Sequence, residues 1–288
     1  MLKTTSRALT TMVLGAAVAG TSASADEVTI GWTAWSDAEF ITKLAEKVLV
    51  DHGGYEVELT QTDIAPQYQG IASGDIDLML MSWQPGTHGD YLDGIAGDYI
   101  DLGPLYTGAR LGWVVPDYIP EDELSSISDL TNDEVRDRLD GEITGIDPGA
   151  GLSNLSEQAM EDYGLDGYDL QFSSGAGMTA ALDRAIGRDE WIVVTGWSPH
   201  WKFGAYDLRY LEDPEGSLGG AERVHALARN GFHEDHPEVA DIVARMFIDI
   251  EKLEDYMAYA EENSYDEAVS KFIDEQGAYV DYWLSGEL

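Results

Sequence analysis

Short apolar runs alternate with helix-like stretches along the first part of the chain. Residues 28–35 alternate between apolar and polar positions and predict a strand, whereas residues 40–50 carry apolar residues at helical spacing. Residues 55–59, 64–73 and 76–81 then predict a strand, a helix and a third strand. This β-α-β-α-β order predicts a parallel sheet with right-handed crossovers.

The same alternation restarts in the second part of the chain. Residues 143–146, 152–163 and 169–172 predict a strand, a helix and a strand. A helix-like stretch at 178–187 then leads into a further apolar run at 191–195. The chain therefore contains a second α/β unit that resembles the first.

Extended segments at 107–116 and 221–229 connect the two units and predict strands that cross between lobes. The acidic stretch 120–140 predicts helical structure with residues 125–130 as a polar connector, and residues 236–284 predict a final helical region. We therefore expect an α/β fold of two lobes with a hinge and a cleft. The predicted division is residues 26–112 plus 225–288 for lobe 1 and residues 113–224 for lobe 2.

A tryptophan followed two residues later by proline ends a predicted strand in each lobe. The two copies are Ser-Trp-Gln-Pro at 82–85 and Gly-Trp-Ser-Pro-His at 196–200. Trp83 and Trp197 therefore lie at the carboxyl ends of strands, which is where open α/β sheets bind ligands. Trp35 lies where the first strand turns into its helix. We expect these three indoles to converge in the cleft, whereas Trp32, on the opposite face of its strand, is expected in the core.

The first 25 residues have the composition of a secretory signal. Lys3 and Arg7 precede a small apolar stretch at 8–19, and Ala-Ser-Ala at 23–25 fits a cleavage site. The chain has no cysteine, so it has neither disulfides nor a lipid-modified cysteine. We expect a cleaved signal peptide at residues 1–25 and a soluble periplasmic protein.

The formal net charge is −39, from 55 acidic against 16 basic residues. A nucleic acid partner is excluded because phosphate binding needs a basic surface. The acids are mixed with aromatic and aliphatic residues, which indicates a globular protein with an acidic, well-hydrated surface. A cation-binding role for these acids is the alternative.

Indole rings in a cleft predict a particular kind of ligand. The ring face attracts cations, and a quaternary ammonium group, which lacks N–H donors, suits such a site best. One ring contributes about 0.5 to 2 kcal/mol, so a selective site needs several. Taken singly, a buried tryptophan is more often a core residue; the repeated strand-end positions favour ligand contact for Trp35, Trp83 and Trp197. Trp201 is expected to support this group of rings.

Glycines before a predicted helix form a second candidate site, at residues 147–153. Successive backbone N–H groups at a helix N-terminus bind anions, and a carboxylate fits here better than a pyrophosphate because the nucleotide fingerprint is incomplete. His88 follows Trp83 closely and is a candidate second donor. The alternative for His88 is a residue that stabilises its turn.

The chain resembles the substrate-binding proteins of glycine betaine/proline betaine ABC transporters over nearly its whole mature length. The resemblance rests on Ser-Gly-Asp-Ile-Asp at 73–77, Gly-Ile-Asp-Pro-Gly at 145–149 and Gly-Trp-Ser-Pro-His-Trp at 196–201. It implies a type II periplasmic binding protein, with parallel or mixed sheets flanked by helices and two hinge-crossing strands. It also implies a membrane permease as partner and uptake of an osmoprotectant by a monomer.

The resemblance further implies roles for individual residues. Trp35, Trp83 and Trp197 would surround a trimethylammonium group, and the N–H groups of Gly151 and Leu152 would hold a carboxylate together with His88. The stretch 84–87 varies among such proteins and bears on how His88 is presented. Dimethylsulfoniopropionate, choline and carnitine remain alternative ligands, because the ring residues do not separate them.

An exported enzyme is the competing function class. The sequence has no cysteine nucleophile, no G-x-S-x-G motif and no H-E-x-x-H motif. His-Glu-Asp-His at 233–236 is the best metal candidate, but it precedes Pro237 and is more typical of a polar helix start. We therefore expect a binding protein with no catalysis, no cofactor and no metal.

Overall fold

The computed structural model describes residues 27–287. The predicted signal peptide at residues 1–25 lies outside the described residues. Within residues 27–287, no helix is both long and apolar enough to cross a membrane.

The first part of the chain forms a parallel three-stranded unit. Its elements are β1 (Glu27–Trp32), α1 (Ser36–Val48), a π-helical turn (Leu49–Gly53), β2 (Glu56–Gln61), α2 (Ile64–Ser73), β3 (Leu78–Gln84) and α3 (Gly89–Gly94). β1 pairs in parallel with both β2 and β3. Gly74, at φ 83°, ends α2 in the left-handed region, which glycine adopts readily. The predicted β-α-β-α-β order is confirmed.

A second parallel unit follows a long connecting strand. Its elements are β4 (Tyr99–Pro116), a 3₁₀ turn (Ile127–Thr131), α4 (Asp133–Arg138), β5 (Glu142–Thr144), α5 (Gly151–Asp162), β6 (Asp169–Gln171), α6 (Gly175–Ile186), β7 (Val194–Ser198), α7 (Lys202–Ala205) and β8 (Leu208–Tyr210). β5 pairs in parallel with β6 and β7, whereas β7 and β8 pair antiparallel with β4.

Strand β9 (Glu222–Arg229) returns the chain to the first unit and pairs antiparallel with both β3 and β4. The strand order is β2-β1-β3-β9-β4-β7-β5-β6, with β8 beside β4. We call β1, β2, β3 and β9 with their helices the first half, and β5 to β8 with theirs the second half. The 18-residue strand β4 belongs to both halves.

Five helices complete the chain and cover the first half. They are α8 (Phe232–Asp235), α9 (Pro237–Arg245), α10 (Ile250–Glu262), α11 (Tyr265–Glu275) and α12 (Gly277–Ser285). Phe272 of α11 packs its ring against Phe40 of α1 at 6.2 Å and against Trp283 of α12 at 5.8 Å. The predicted final helical region is therefore confirmed.

Two sequence expectations were wrong. The helix expected at residues 120–124, before the connector, is absent, and the Asp129 carboxylate accepts hydrogen bonds from the backbone N–H groups of Ser125 and Ser126 and holds a turn there. Trp32 is half-buried rather than in the core. Trp113 and Trp283 are fully buried packing residues.

Candidate ligand-binding site

A cavity lies between the two halves. All six residues predicted to contact ligand line it: Trp35, Trp83, His88, Gly151, Leu152 and Trp197. Asp37, Thr87, Leu111, Ile146 and Ala150 complete the lining. Both halves contribute, so the cavity is closed only when they are in contact.

The three tryptophans reach the cavity from turns at the ends of strands. Trp83 and Trp197 are the penultimate residues of β3 and β7, and Trp35 immediately precedes α1. The exposed fractions are 7% for Trp35, 3% for Trp83 and 4% for Trp197. The three indole rings therefore converge on the cavity as predicted, and each is almost fully buried.

Two of the indoles are hydrogen-bonded to the opposite half. Trp35 Nε1 donates to Asp147 Oδ2 at 3.0 Å, and Trp197 Nε1 donates to Asp37 Oδ1 at 2.9 Å. Each bond has a charged acceptor, which makes it stronger than a neutral pair. These bonds fix the ring orientations and hold the halves together.

Asp37 is a cavity residue that the sequence interpretation missed. Its side chain is fully buried and accepts a second hydrogen bond, from the Tyr106 hydroxyl to Oδ2 at 2.7 Å. Burial raises the pKa of Asp37, while the hydrogen bonds from Tyr106 and Trp197 oppose that rise. Asp37 lies in the first turn of α1, directly after Trp35, which occupies the N-cap position.

His88 is held as a neutral ring with a defined tautomer. Its Nδ1 accepts a hydrogen bond from the Trp83 backbone N–H at 3.1 Å, so Nε2 carries the proton and is a donor. Burial lowers the pKa of His88 to about 3. The ring centroid lies 6.1 Å from that of Trp35. His88 therefore stabilises its turn through Nδ1 and also lines the cavity, so the two roles expected for it do not exclude each other.

The N-terminus of α5 lies directly against the His88 turn. A Cβ atom on Gly151 would come within 2.3 Å of the Thr87 carbonyl oxygen and 3.0 Å of His88 Cδ2. Only glycine therefore permits this approach. Ala150, at the N-cap, offers no side-chain acceptor to the first-turn N–H groups, which suits them to an anionic ligand.

Glu222 holds the turn that presents His88. Its Oε1 accepts hydrogen bonds from both the backbone N–H and the hydroxyl of Thr87, each at 2.9 Å. Glu222 begins β9, the strand that returns between the halves. A residue distant in sequence thus anchors the end of the stretch 84–87.

Two other candidates lie outside the cavity. Trp201 lines an adjacent groove and its ring centroid lies 5.3 Å from that of His200. In the 233–236 motif, Asp235 pairs with Arg229 at 2.8 Å and the His236 ring lies 5.2 Å from that of Phe232. No cluster of three or more potential metal ligands occurs within the described range 27–287.

A family comparison identifies the kind of protein. The model of the substrate-binding domain of ABC-type glycine betaine transport systems, OpuAC, matches residues 26–275. The chain belongs to this family. OpuAC proteins are substrate-binding transport proteins rather than enzymes, and the resemblance inferred from the motifs is confirmed.

Individual relatives agree with the OpuAC assignment. The glycine betaine/carnitine transport binding protein of Listeria monocytogenes is 36% identical over 156 residues, which cover 53% of this chain and 52% of that protein. The glycine betaine-binding periplasmic protein of Dickeya dadantii is 23% identical and covers 87% of this chain and 86% of its own.

Solved structures confirm the fold. Lactococcal OpuAC, closed and complexed with glycine betaine, superposes with a TM-score of 0.83 at 33% identity, covering 90% of this chain and 99% of the other. ProX from Borrelia burgdorferi gives the same TM-score and identity over 90% and 96%. These neighbours are type II periplasmic binding proteins, so the predicted fold class is confirmed.

Proposed function

We propose that this protein captures glycine betaine, or a closely similar quaternary ammonium solute, between two lobes. Lobe 1 comprises residues 26–112 plus 225–288, and lobe 2 comprises residues 113–224. The observation that supports the proposal is the lining of the cavity between the halves, which combines three apolar indoles with the N–H donors of His88 and of the α5 N-terminus. That polarity matches a zwitterion with a methylated cation and a carboxylate.

The cationic end of the ligand would lie among Trp35, Trp83 and Trp197. Three rings at about 0.5 to 2 kcal/mol each supply enough attraction for a selective site. The buried Asp37 carboxylate adds negative potential at the same place, since it lines the cavity and bonds to Trp197. Because the rings are nearly dry, dissolved salt would screen the attraction only weakly.

The carboxylate end would lie between α5 and the His88 turn. The backbone N–H groups of Gly151 and Leu152 are at the positive end of the helix dipole. His88 Nε2 carries a proton at neutral pH because Nδ1 is occupied as an acceptor. The ligand would thus bridge the lobes and stabilise their closed arrangement.

The closed protein would deliver its ligand to a membrane permease for osmoprotection. The name of the Dickeya relative describes a periplasmic protein, which supports export of this chain through a cleaved signal peptide. The names of the Listeria and Dickeya proteins and the lactococcal complex all specify glycine betaine, which supports that ligand class. We propose that the protein acts as a monomer.

A calorimetric screen tests the proposal. Glycine betaine, proline betaine, dimethylsulfoniopropionate, choline and carnitine are each titrated at low and at molar salt. We expect a quaternary ammonium ligand to bind with similar affinity at both salt concentrations. His88→Ala should weaken the carboxylated ligands more than choline. Absence of binding by all five, or turnover of any of them, would overturn the proposal.

A further inference from the structure

Lys202 is a buried cation immediately behind one wall of the cavity. Its side chain is fully buried, and its Nζ has no hydrogen-bond partner among residues 27–287. The Nζ atom lies 4.6 Å from the centroid of the Trp197 ring and 5.0 Å from that of Phe203. An ammonium group without a hydrogen-bond partner at such a position costs free energy, because burial penalises its charge.

The Trp197 indole separates this ammonium group from the cavity. Trp197 lines the cavity and Lys202 does not. Gly196 leaves room for the lysine, since a Cβ atom there would lie 3.4 Å from Lys202 Cε and 2.5 Å from Val114 Cγ2. A cation in the cavity and the Lys202 ammonium would therefore share one ring from its two sides.

The groups facing Lys202 come from three elements. Asp37 of α1 and Glu254 of α10 favour its charged form, and the buried His200, which precedes α7, is itself kept neutral. Burial outweighs the two carboxylates and lowers the pKa of Lys202 to about 7. Its charge therefore changes within the ordinary working range of pH.

We propose that Lys202, acting through Trp197, determines specificity by disfavouring ligands that carry a net positive charge. The proposal rests on the function proposed above. A charged Lys202 repels a cation across the ring and competes for the same π electrons. A zwitterion experiences less net repulsion, because Lys202 attracts its carboxylate. Glycine betaine is thus favoured over choline.

The size of the effect follows from the distance across the ring. A ligand cation on the far face would lie about 9 Å from Nζ, and repulsion at an effective dielectric constant of about 20 corresponds to about 20-fold in choline affinity. The opposing carboxylate should reduce this to about threefold or less for glycine betaine.

Lys202→Met tests the proposal, because methionine has similar length and no charge. Choline and glycine betaine are titrated by calorimetry at pH 5.5 and pH 8.5 into the full mature protein and the variant. In the unmodified protein, choline affinity should fall about 20-fold from pH 8.5 to pH 5.5, as Lys202 gains its proton. The variant should lose this fall and bind choline more tightly at pH 5.5.

Lys252→Met is the matched control. Lys252 also faces an aromatic ring, with its Nζ 5.8 Å from the Tyr279 centroid, but it lies outside the cavity wall. Its replacement removes the same charge and should leave the choline-to-betaine ratio unchanged. Lys252→Met leaves Lys202 and its interaction with Asp37 in place, so its pH profile should match that of the unmodified protein.

The outcomes separate the two proposals. If neither ligand binds the unmodified protein, the proposed function fails. If betaine binds but Lys202→Met leaves both the ratio and its pH profile unchanged, or choline binds neither protein, the role of Lys202 is refuted. Lys202→Gln and the pH profile of the unmodified protein provide the same decision if the methionine variant does not fold.

Discussion

Gly151→Ala is a direct test of lobe closure over the proposed ligand. The added Cβ would lie 2.3 Å from the Thr87 carbonyl oxygen and 2.5 Å from Thr87 Cγ2. Non-bonded carbon atoms need about 3.5 Å, so the two segments must separate by about 1 Å. Thr87 cannot easily yield, because both its N–H and its hydroxyl bond to Glu222.

The magnitude follows from the cost of overpacking. Such clashes cost about 1 to 3 kcal/mol, which corresponds to a loss of about 5- to 150-fold in betaine affinity. Because the clash is between the halves, it acts only when they are in contact. The melting temperature without ligand should therefore change little, while the rise in melting temperature on adding ligand should shrink.

Calorimetry with glycine betaine and thermal unfolding with and without ligand measure both quantities. Gly89→Ala is the control, since it makes the same change beside His88 and its Cβ would meet no atom of the described residues within 4 Å. Affinity of Gly151→Ala equal to that of Gly89→Ala would refute the reasoning.

Two further predictions concern the same cavity. Trp197→Ala should weaken glycine betaine binding by about tenfold or more, because it removes one indole that contributes about 1 to 2 kcal/mol. Trp201→Ala, outside the cavity, should weaken binding less. Equal losses of affinity in the two variants would contradict the assignment of Trp197 to the site. The pKa of His88 is about 3 in the folded protein. The unfolded chain should therefore bind an extra proton below about pH 6.5, so stability falls as pH drops from there toward 3. His88→Gln should make melting temperature less dependent on pH in that window, and an unchanged slope would contradict a buried neutral ring.

Much of the architecture was predictable because it depends on local periodicity. The helix predicted at 64–73 is α2, and the two strand-end tryptophans emerge from β3 and β7 as expected. Glycine and proline positions marked these boundaries, and apolar runs marked the buried strands. The convergence of Trp35, Trp83 and Trp197 was expected because each lies at the carboxyl end of a strand in its own α/β unit, and ligands bind at those ends.

Other features depend on contacts between residues distant in sequence. Asp37 carries no local sign that its carboxylate turns toward Trp197 and Tyr106. A lysine such as Lys202 is normally exposed, so its burial could not be read from the sequence. In residues 120–124 the acidic stretch suggested a helix, whereas the hydrogen bonds from Ser125 and Ser126 to the Asp129 carboxylate form a turn next to it. The ligand contacts themselves remain predictions.

The hydrogen bonds from the indole N–H groups have a consequence for mutational dissection of the cavity. Trp35 and Trp197 each line the cavity and also connect the two halves. The indole N–H that orients each ring is hydrogen-bonded to an aspartate of the opposite half, Asp147 for Trp35 and Asp37 for Trp197. Truncation to alanine removes both, and its cost will overstate the ring's attraction for a cation. Replacement by phenylalanine retains a smaller aromatic face and removes the hydrogen bond to the aspartate. The difference in ligand affinity between the alanine and phenylalanine variants therefore separates the attraction of the ring for the ligand from the contribution of the hydrogen bond to the closed arrangement.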